Sequence, residues 1–257
     1  MDSHAHLNDS RYKDDLPDVI ERAVAAGVTG IIVAGYDLSS SRRALNIAAE
    51  YKNCWATAGV HPHDAGRVGS KYLHQLEKLL IHEKVVAVGE IGLDYHYNYS
   101  AKETQQKVFR EQLQLALEYK KPVVIHDREA HQDTWQILSS VSCKISGVMH
   151  CFSGSWEFAR QCMDIGLSLG FDGPLTFENA RKGLEIVAKM PREYLLLETD
   201  CPYLTPHPHR GKRNEPSYLP LIAAKVAEIW GITVEEVGRI TSDNTRRLFK
   251  ITQSEVK

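Results

Sequence analysis

Six side chains in this chain have the types and spacing to do metal chemistry: His4 and His6 in an H-x-H pair, Glu90, His126, His150 and Asp200. Four imidazoles and two carboxylates exceed the needs of one tetrahedral zinc but suffice for two divalent ions sharing a carboxylate. We expect His4, His6 and Asp200 on one ion, His126 and His150 on the other, and Glu90 as the bridge. A pair of ions roughly 3.5–4 Å apart lowers the pKa of a bound water and clamps the attacking and leaving oxygens of a displacement. Phosphodiester hydrolysis is the reaction that uses all of this. The catalytic candidates are Glu90 and Asp200, the latter both ligating and taking the proton of the attacking water. Any one of these residues alone reads more simply as a satisfied polar group. Their joint pattern points to a metal site.

That pattern needs a scaffold that brings distant residues together. The chain alternates short β-branched runs with longer segments of helical period. Strands are expected over 2–6, 29–34, 54–59, 85–89, 122–126, 146–150, 167–171 and 194–199, with helices over 16–26, 40–51, 72–82, 102–119, 131–140, 156–165 and 177–189. Two closing helices, 220–230 and 233–249, follow. Ser100 with Glu103 and Thr233 with Glu236 have capping-box spacing, and Gly27, Gly166 and Gly231 sit where helices should stop. Eight βα units make an α/β fold, a TIM (β/α)8 barrel occupying residues 1–257 as a single domain, with a doubly wound open sheet as the competing architecture. In a barrel the C-terminal ends of all strands open onto one face. Here strand one ends in His4 and His6, strand three in His61, strand four in Glu90, strand five in His126, strand six in His150 and strand eight in Asp200. The two-residue period turns His4 and His6 to the same side.

Around this cluster, His61 and Asp94 read either as partners orienting a ligand or as substrate contacts. Glu198 shares the facing of Asp200 and reads as another orienting group. His74, His82 and His131 fall in helical stretches and are expected at the surface. The cationic segment His207–Pro216, with Arg210, Arg213 and Asn214, can grip phosphate oxygens or simply be a solvated loop. The tyrosines of 94–99 can stack on unpaired bases or pack within their own loop. Short loops of this kind admit a single strand or frayed end more readily than continuous duplex.

Composition sets outer limits. Hydrophobic residues are 43% and charged residues 25%, an ordinary globular balance that supplies one large core. A formal net charge of -2 excludes a broadly basic protein that coats polyanions, so nucleic acid must be held by a local patch or by metals. No run approaches the ~18 apolar residues of a membrane span, and the N-terminal residues lack the pattern of a signal peptide. Cys54, Cys143, Cys151, Cys162 and Cys201 form no C-x-x-C pair, which fits a reducing cytoplasm. Neither a membrane nor an obligatory protein partner is expected.

Taken together, Asp2-Ser3-His4-Ala5-His6-Leu7, Gly59-Val60-His61-Pro62, Val88-Gly89-Glu90-Ile91-Gly92-Leu93-Asp94-Tyr95, Pro122-Val123-Val124-Ile125-His126, His150-Cys151-Phe152-Ser153-Gly154, Leu197-Glu198-Thr199-Asp200-Cys201-Pro202 and Arg213-Asn214-Glu215-Pro216 resemble the TatD family of metal-dependent deoxyribonucleases, within the amidohydrolase-like barrels. The likeness spans nearly the whole chain. It implies a TIM-type barrel, exonuclease or DNase activity on DNA with RNA as a further substrate, and the same six ligands. It also implies two divalent ions, usually Mg2+ for activity, with Zn2+, Mn2+ or Ni2+ as other occupants. Two rivals remain. A related barrel hydrolyses a small ester, amide or phosphoester, although many such relatives carry a carbamylated lysine where this chain has Glu90. The other is a non-catalytic scaffold that keeps metals for stability.

Overall fold

The computed structural model describes residues 1–141 and 145–252; Cys143 lies outside them. Eight strands follow one another around a parallel sheet: β1 (Asp2–Ala5), β2 (Ile31–Val33), β3 (Cys54–Ala58), β4 (Val85–Asp94), β5 (Val123–Arg128), β6 (Gly147–Met149), β7 (Leu167–Phe171) and β8 (Leu195–Leu197). Backbone bonds at the strand mouths close the ring, with His6 N donating to Cys201 O at 2.8 Å and Asp200 N to His4 O at 3.0 Å. The Asp2 carboxylate reinforces that seam by accepting from the Thr199 amide at 3.0 Å and its hydroxyl at 2.6 Å. The fold is the expected TIM barrel.

Helices α1 (Leu16–Ala25), α2 (Leu38–Glu50), α3 (Tyr72–Leu80), α4 (Lys102–Glu118), α5 (His131–Ser140), α6 (Trp156–Asp164), α7 (Arg181–Lys189), α8 (Leu219–Trp230) and α9 (Val234–Phe249) surround the strands. Alternation along each strand divides the core in two. Ile31, Val33, Val123 and Ile125 pack outward against the helices, while Ile32, Trp55, Val124, Val148 and Leu196 fill the barrel interior above Leu248 and Phe249. The same period carries the inward face up to the mouth: two residues past Val124 comes His126, past Val148 comes His150, and past Leu196 comes Glu198.

Strand β4 departs from the expected 85–89. It runs five residues further, and its pairing with β5 shifts between Val88 and Ile91. One extra residue there forms a bulge, the device that re-aims a side chain within a sheet. Glu90 sits in that irregular stretch, its amide donating to Gly35 O at 2.5 Å.

Helix ends follow the glycines. Gly27, Gly166 and Gly231 have φ of 84°, 93° and 64°, the left-handed region that halts a helix. Thr233 caps α9 through Glu236 N at 3.2 Å. The Ser100/Glu103 capping box does not form. Helix α4 starts after Ala101, and the Ser100 hydroxyl instead donates to His63 O at 3.0 Å and accepts from Gly66 N at 2.9 Å. The seventh helix likewise begins at Arg181 rather than 177, after a 3-10 turn at Gly173–Thr176.

Candidate metal centre

Glu90 is the hub. Its side chain is buried, and its two oxygens face two different groups of imidazoles. Oε2 lies 3.4 Å from His4 Nε2 and 3.6 Å from His6 Nε2. Oε1 lies 3.0 Å from His126 Nδ1 and 3.4 Å from both His150 Nε2 and His61 Nε2. The Asp200 carboxylate completes the first group at 3.3 Å from His6 Nε2 and 3.6 Å from His4 Nε2. Asp200 reaches this position from a left-handed backbone, φ 52°, which aspartate tolerates better than most residues.

Burial would raise the Glu90 pKa, but charge from His61 and His150 and hydrogen bonds from His126 and His150 outweigh it and hold the carboxyl well below its usual range. Asp200 shows the same balance: burial opposes ionisation, and His6 with its neighbours lowers the pKa overall. Ionised carboxylate oxygens and imidazole nitrogens crowded into one buried cluster are the donor set of a divalent cation. The near approach of His4 Nε2 to His6 Nε2, 3.2 Å, fits a shared ion between them. Three overlapping trios, His4–His6–Glu90, His4–His150–Asp200 and His61–Glu90–His126, bring their donor atoms within 4.8 Å of one another.

Around the hub, other groups fix which nitrogen points inward. Asp94 Oδ2 accepts from His126 Nε2 at 3.1 Å and His63 Nε2 at 2.9 Å, which fixes Nδ1 as the His126 nitrogen turned toward Glu90. Burial would raise the Asp94 pKa, yet these two imidazoles and the Tyr97 amide outweigh it and keep the carboxyl ionised. Gln105 clamps the strand end, its carboxamide bonding both Asp94 N and Asp94 O. His61 Nδ1 accepts from His63 N at 3.2 Å, so a neutral His61 carries its proton on Nε2 and presents a donor to the cluster. Burial pushes its pKa down to about 4, which keeps it neutral.

Glu198 does for His150 what Asp94 does for His126. Its Oε1 lies 3.2 Å from His150 Nδ1 and accepts from Cys151 N at 2.6 Å. Room for it comes from Gly170, where a Cβ would lie 2.4 Å from Glu198 Oε2. Glu198→Gln should therefore weaken metal affinity by about tenfold, and Gly170→Ala should reproduce the loss without altering any polar group. Isothermal titration with manganese reads both; unchanged affinity in the pair would remove this orienting role.

The loop after β8, open from the sequence between a phosphate grip and a solvated charged segment, has partners of its own within the fold. Arg213 is committed to Asp15, with bonds of 2.5 and 2.8 Å, and stacks 4.7 Å from the Tyr12 ring. Arg210 lies 4.1 Å from the Phe177 ring. Asn214 is buried and donates to Thr199 O at 2.8 Å and Tyr203 O at 2.6 Å, tying the loop to the residue before Asp200. Arg22 adds a bond to Glu215 at 2.6 Å. Burial raises the Glu215 pKa, but Arg22 and Ser217 lower it below its ordinary value overall. A depressed carboxylate contributes stability above its unfolded pKa near 4.5 and loses it as pH falls through the folded value. Arg22→Met should cost up to about 1 kcal/mol at neutral pH and flatten the acid limb of a denaturation-versus-pH curve; an unaltered limb would contradict the assignment.

Of the three histidines expected at the surface, His74 is exposed and bonds Glu77 and His82 is exposed. His131 is only half-exposed and bonds Asp127 Oδ2 at 2.9 Å. Three groups near the mouth escaped the sequence reading. His63 follows His61 by two, Asp2 precedes His4 by two, and Asp172, the residue after β7, has a buried Oδ2 with no hydrogen-bond partner among the described residues. Strand-end position and the two-residue period were the available signals for the last two.

A closed (β/α)8 barrel with buried histidines and carboxylates gathered at the C-terminal strand mouths defines a metal-dependent hydrolase. The chain belongs to the TatD-related DNase family, whose model matches residues 1–250. It is 48% identical over 252 residues to YabD of Bacillus subtilis, described as an uncharacterized metal-dependent hydrolase, covering 98% of this chain and 99% of that protein. It is 40% identical over 259 residues to the 3'-5' ssDNA/RNA exonuclease TatD of Klebsiella pneumoniae, covering 98% of each. Among solved structures, YjjV, a TatD homologue from Escherichia coli K12, superposes with a TM-score of 0.92 at 33% identity and 98% coverage of both chains.

Proposed function

We propose that this protein is a cytoplasmic exonuclease that hydrolyses phosphodiester bonds of single-stranded or frayed DNA, and of RNA, from the 3′ end, using two divalent cations. The observation that carries the reading is the split hub: one Glu90 oxygen toward His4 and His6, the other toward His126, His150 and His61. On this reading His4, His6 and Asp200 would hold one cation, His126 and His150 the other, and Glu90 would serve both. Cations held there would lower the pKa of a bound water and stabilise charge developing on phosphate oxygens. The single-strand and 3′ preferences follow the 3'-5' ssDNA/RNA exonuclease activity for which the Klebsiella pneumoniae relative is named.

The chain's own groups divide the remaining work. Asp200, kept ionised in the mouth, takes a proton from the attacking water as its oxygen bonds phosphorus. That proton returns to the 3′ oxygen as the phosphorus–oxygen bond breaks. His61 donates from Nε2 to a phosphate oxygen. Asp94 and Glu198 hold His126 and His150 in their working tautomers. Asp200→Asn should cost about 10³-fold in turnover and far less in metal content; parallel losses of both would count against its role as base.

Digestion of single strands labelled at the 5′ end tests the activity itself. With magnesium or manganese the label should shorten through a continuous ladder, releasing 5′-mononucleotides, and chelator should stop it. Fragments from internal cuts, or cleavage confined to small phosphoesters, would replace this reading with an endonuclease or a small-molecule hydrolase.

A further inference from the structure

Beside the mouth, the loop after β4 displays aromatic surface that the barrel does not use. Tyr97 and Tyr99 are 47% and 67% exposed, so loop packing does not account for them. Their rings lie parallel, 4° apart with centroids separated by 5.5 Å, and both stand perpendicular to His63. Asn98 between them adopts a left-handed φ of 52°, which brings rings two residues apart onto one side of the turn. The Arg128 guanidinium lies over the Tyr97 ring, 4.8 Å from its centroid, placing positive charge against the pair.

The ledge is wired to the candidate metal centre. Asp94 Oδ1 accepts from His96 N at 3.0 Å and Tyr97 N at 2.9 Å, while its Oδ2 holds His63 and His126. One carboxylate thus fixes both the tyrosine loop and a histidine of the hub, so the ledge and the cluster keep a set spacing.

We propose that Tyr97 and Tyr99 form a base-stacking subsite, with Arg128 as its phosphate contact, that receives an unpaired nucleobase of the strand being degraded. Parallel exposed rings offer a π-face to any base, and a neighbouring cation suits the phosphate that accompanies it. Within a duplex both faces of a base are covered by its neighbours, so the ledge selects single strands and frayed ends. It is indifferent to base identity and to the sugar, as an exonuclease acting on both DNA and RNA requires. The inference rests on the nuclease reading and adds to it a place where single-strand preference resides.

The test is fluorescence anisotropy with the magnesium-loaded protein and labelled phosphorothioate strands, which resist cleavage: an oligothymidylate and an abasic strand of the same length. Wild type should bind the base-containing strand about tenfold more tightly than the abasic one. Tyr97→Ala with Tyr99→Ala should bring the two to equal affinity, and Tyr97→Phe with Tyr99→Phe, which keeps both π-faces, should retain the preference. Equal binding of the two strands by wild type, no binding of either, or a preference surviving the double alanine change would overturn the subsite. Failure of the nuclease reading would look different: no cleavage of ordinary strands with any divalent cation, whatever the anisotropy shows.

Discussion

Glu90→Gln should abolish measurable hydrolysis, a loss of at least about 10³-fold, while leaving the barrel folded. The substitution preserves volume and removes only charge. Five imidazole nitrogens lie within 3.6 Å of this carboxylate, so an amide there leaves both groups of histidines without their shared anion. Metal content, measured by inductively coupled plasma mass spectrometry, should fall together with turnover, because a carboxylate in the proposed bridging role would serve both ions. A variant that keeps its full metal complement and a tenth of its activity would show that Glu90 is peripheral.

Chelation should have the second largest effect, on activity and on stability together. Activity should vanish and return on adding a divalent cation. A cation present at 100 times its Kd contributes about 2.7 kcal/mol per site to the folded state. For a chain of this size about 2–4 °C of melting temperature accompanies each kcal/mol, so two sites should raise Tm by on the order of 10 °C or more. Helix content should persist in the metal-free protein, since Ile32, Trp55, Val124, Val148 and Leu196 fill the interior below the mouth without help from any ion. Calorimetry with and without chelator reads the shift. Unfolding on chelation would mean that the cations are structural, and an unchanged Tm would mean that they are not held by the folded cluster.

Most of the centre was legible because strand periodicity is local physics. Once Val124, Val148 and Leu196 are known to face inward, His126, His150 and Glu198 must face the same way, and a barrel delivers them to one mouth. Glu90 was identified by residue type, but the bulge that turns it inward was not, since β4 was expected to stop at 89 and its irregular register depends on β5. The relay through Asp94 was left open between two roles. Its partners His63 and His126 lie 31 and 32 positions away, and only the tertiary fold shows which nitrogen each presents. The cationic loop was the least legible part. Arg213 finds Asp15 across 198 residues, and such pairing leaves no trace in local composition. Ser100 illustrates the same limit on a smaller scale, its hydroxyl drawn from the expected helix cap to the His63 carbonyl.

The most direct test of the account is an anomalous difference map from crystals of this protein grown with manganese. Two peaks are expected, one on each side of the Glu90 carboxylate, the first against His4, His6 and Asp200 and the second against His126 and His150, with His61 bound to neither. A single peak, or a second ion held by His61 in place of His150, would contradict the division of ligands on which the proposed hydrolysis rests.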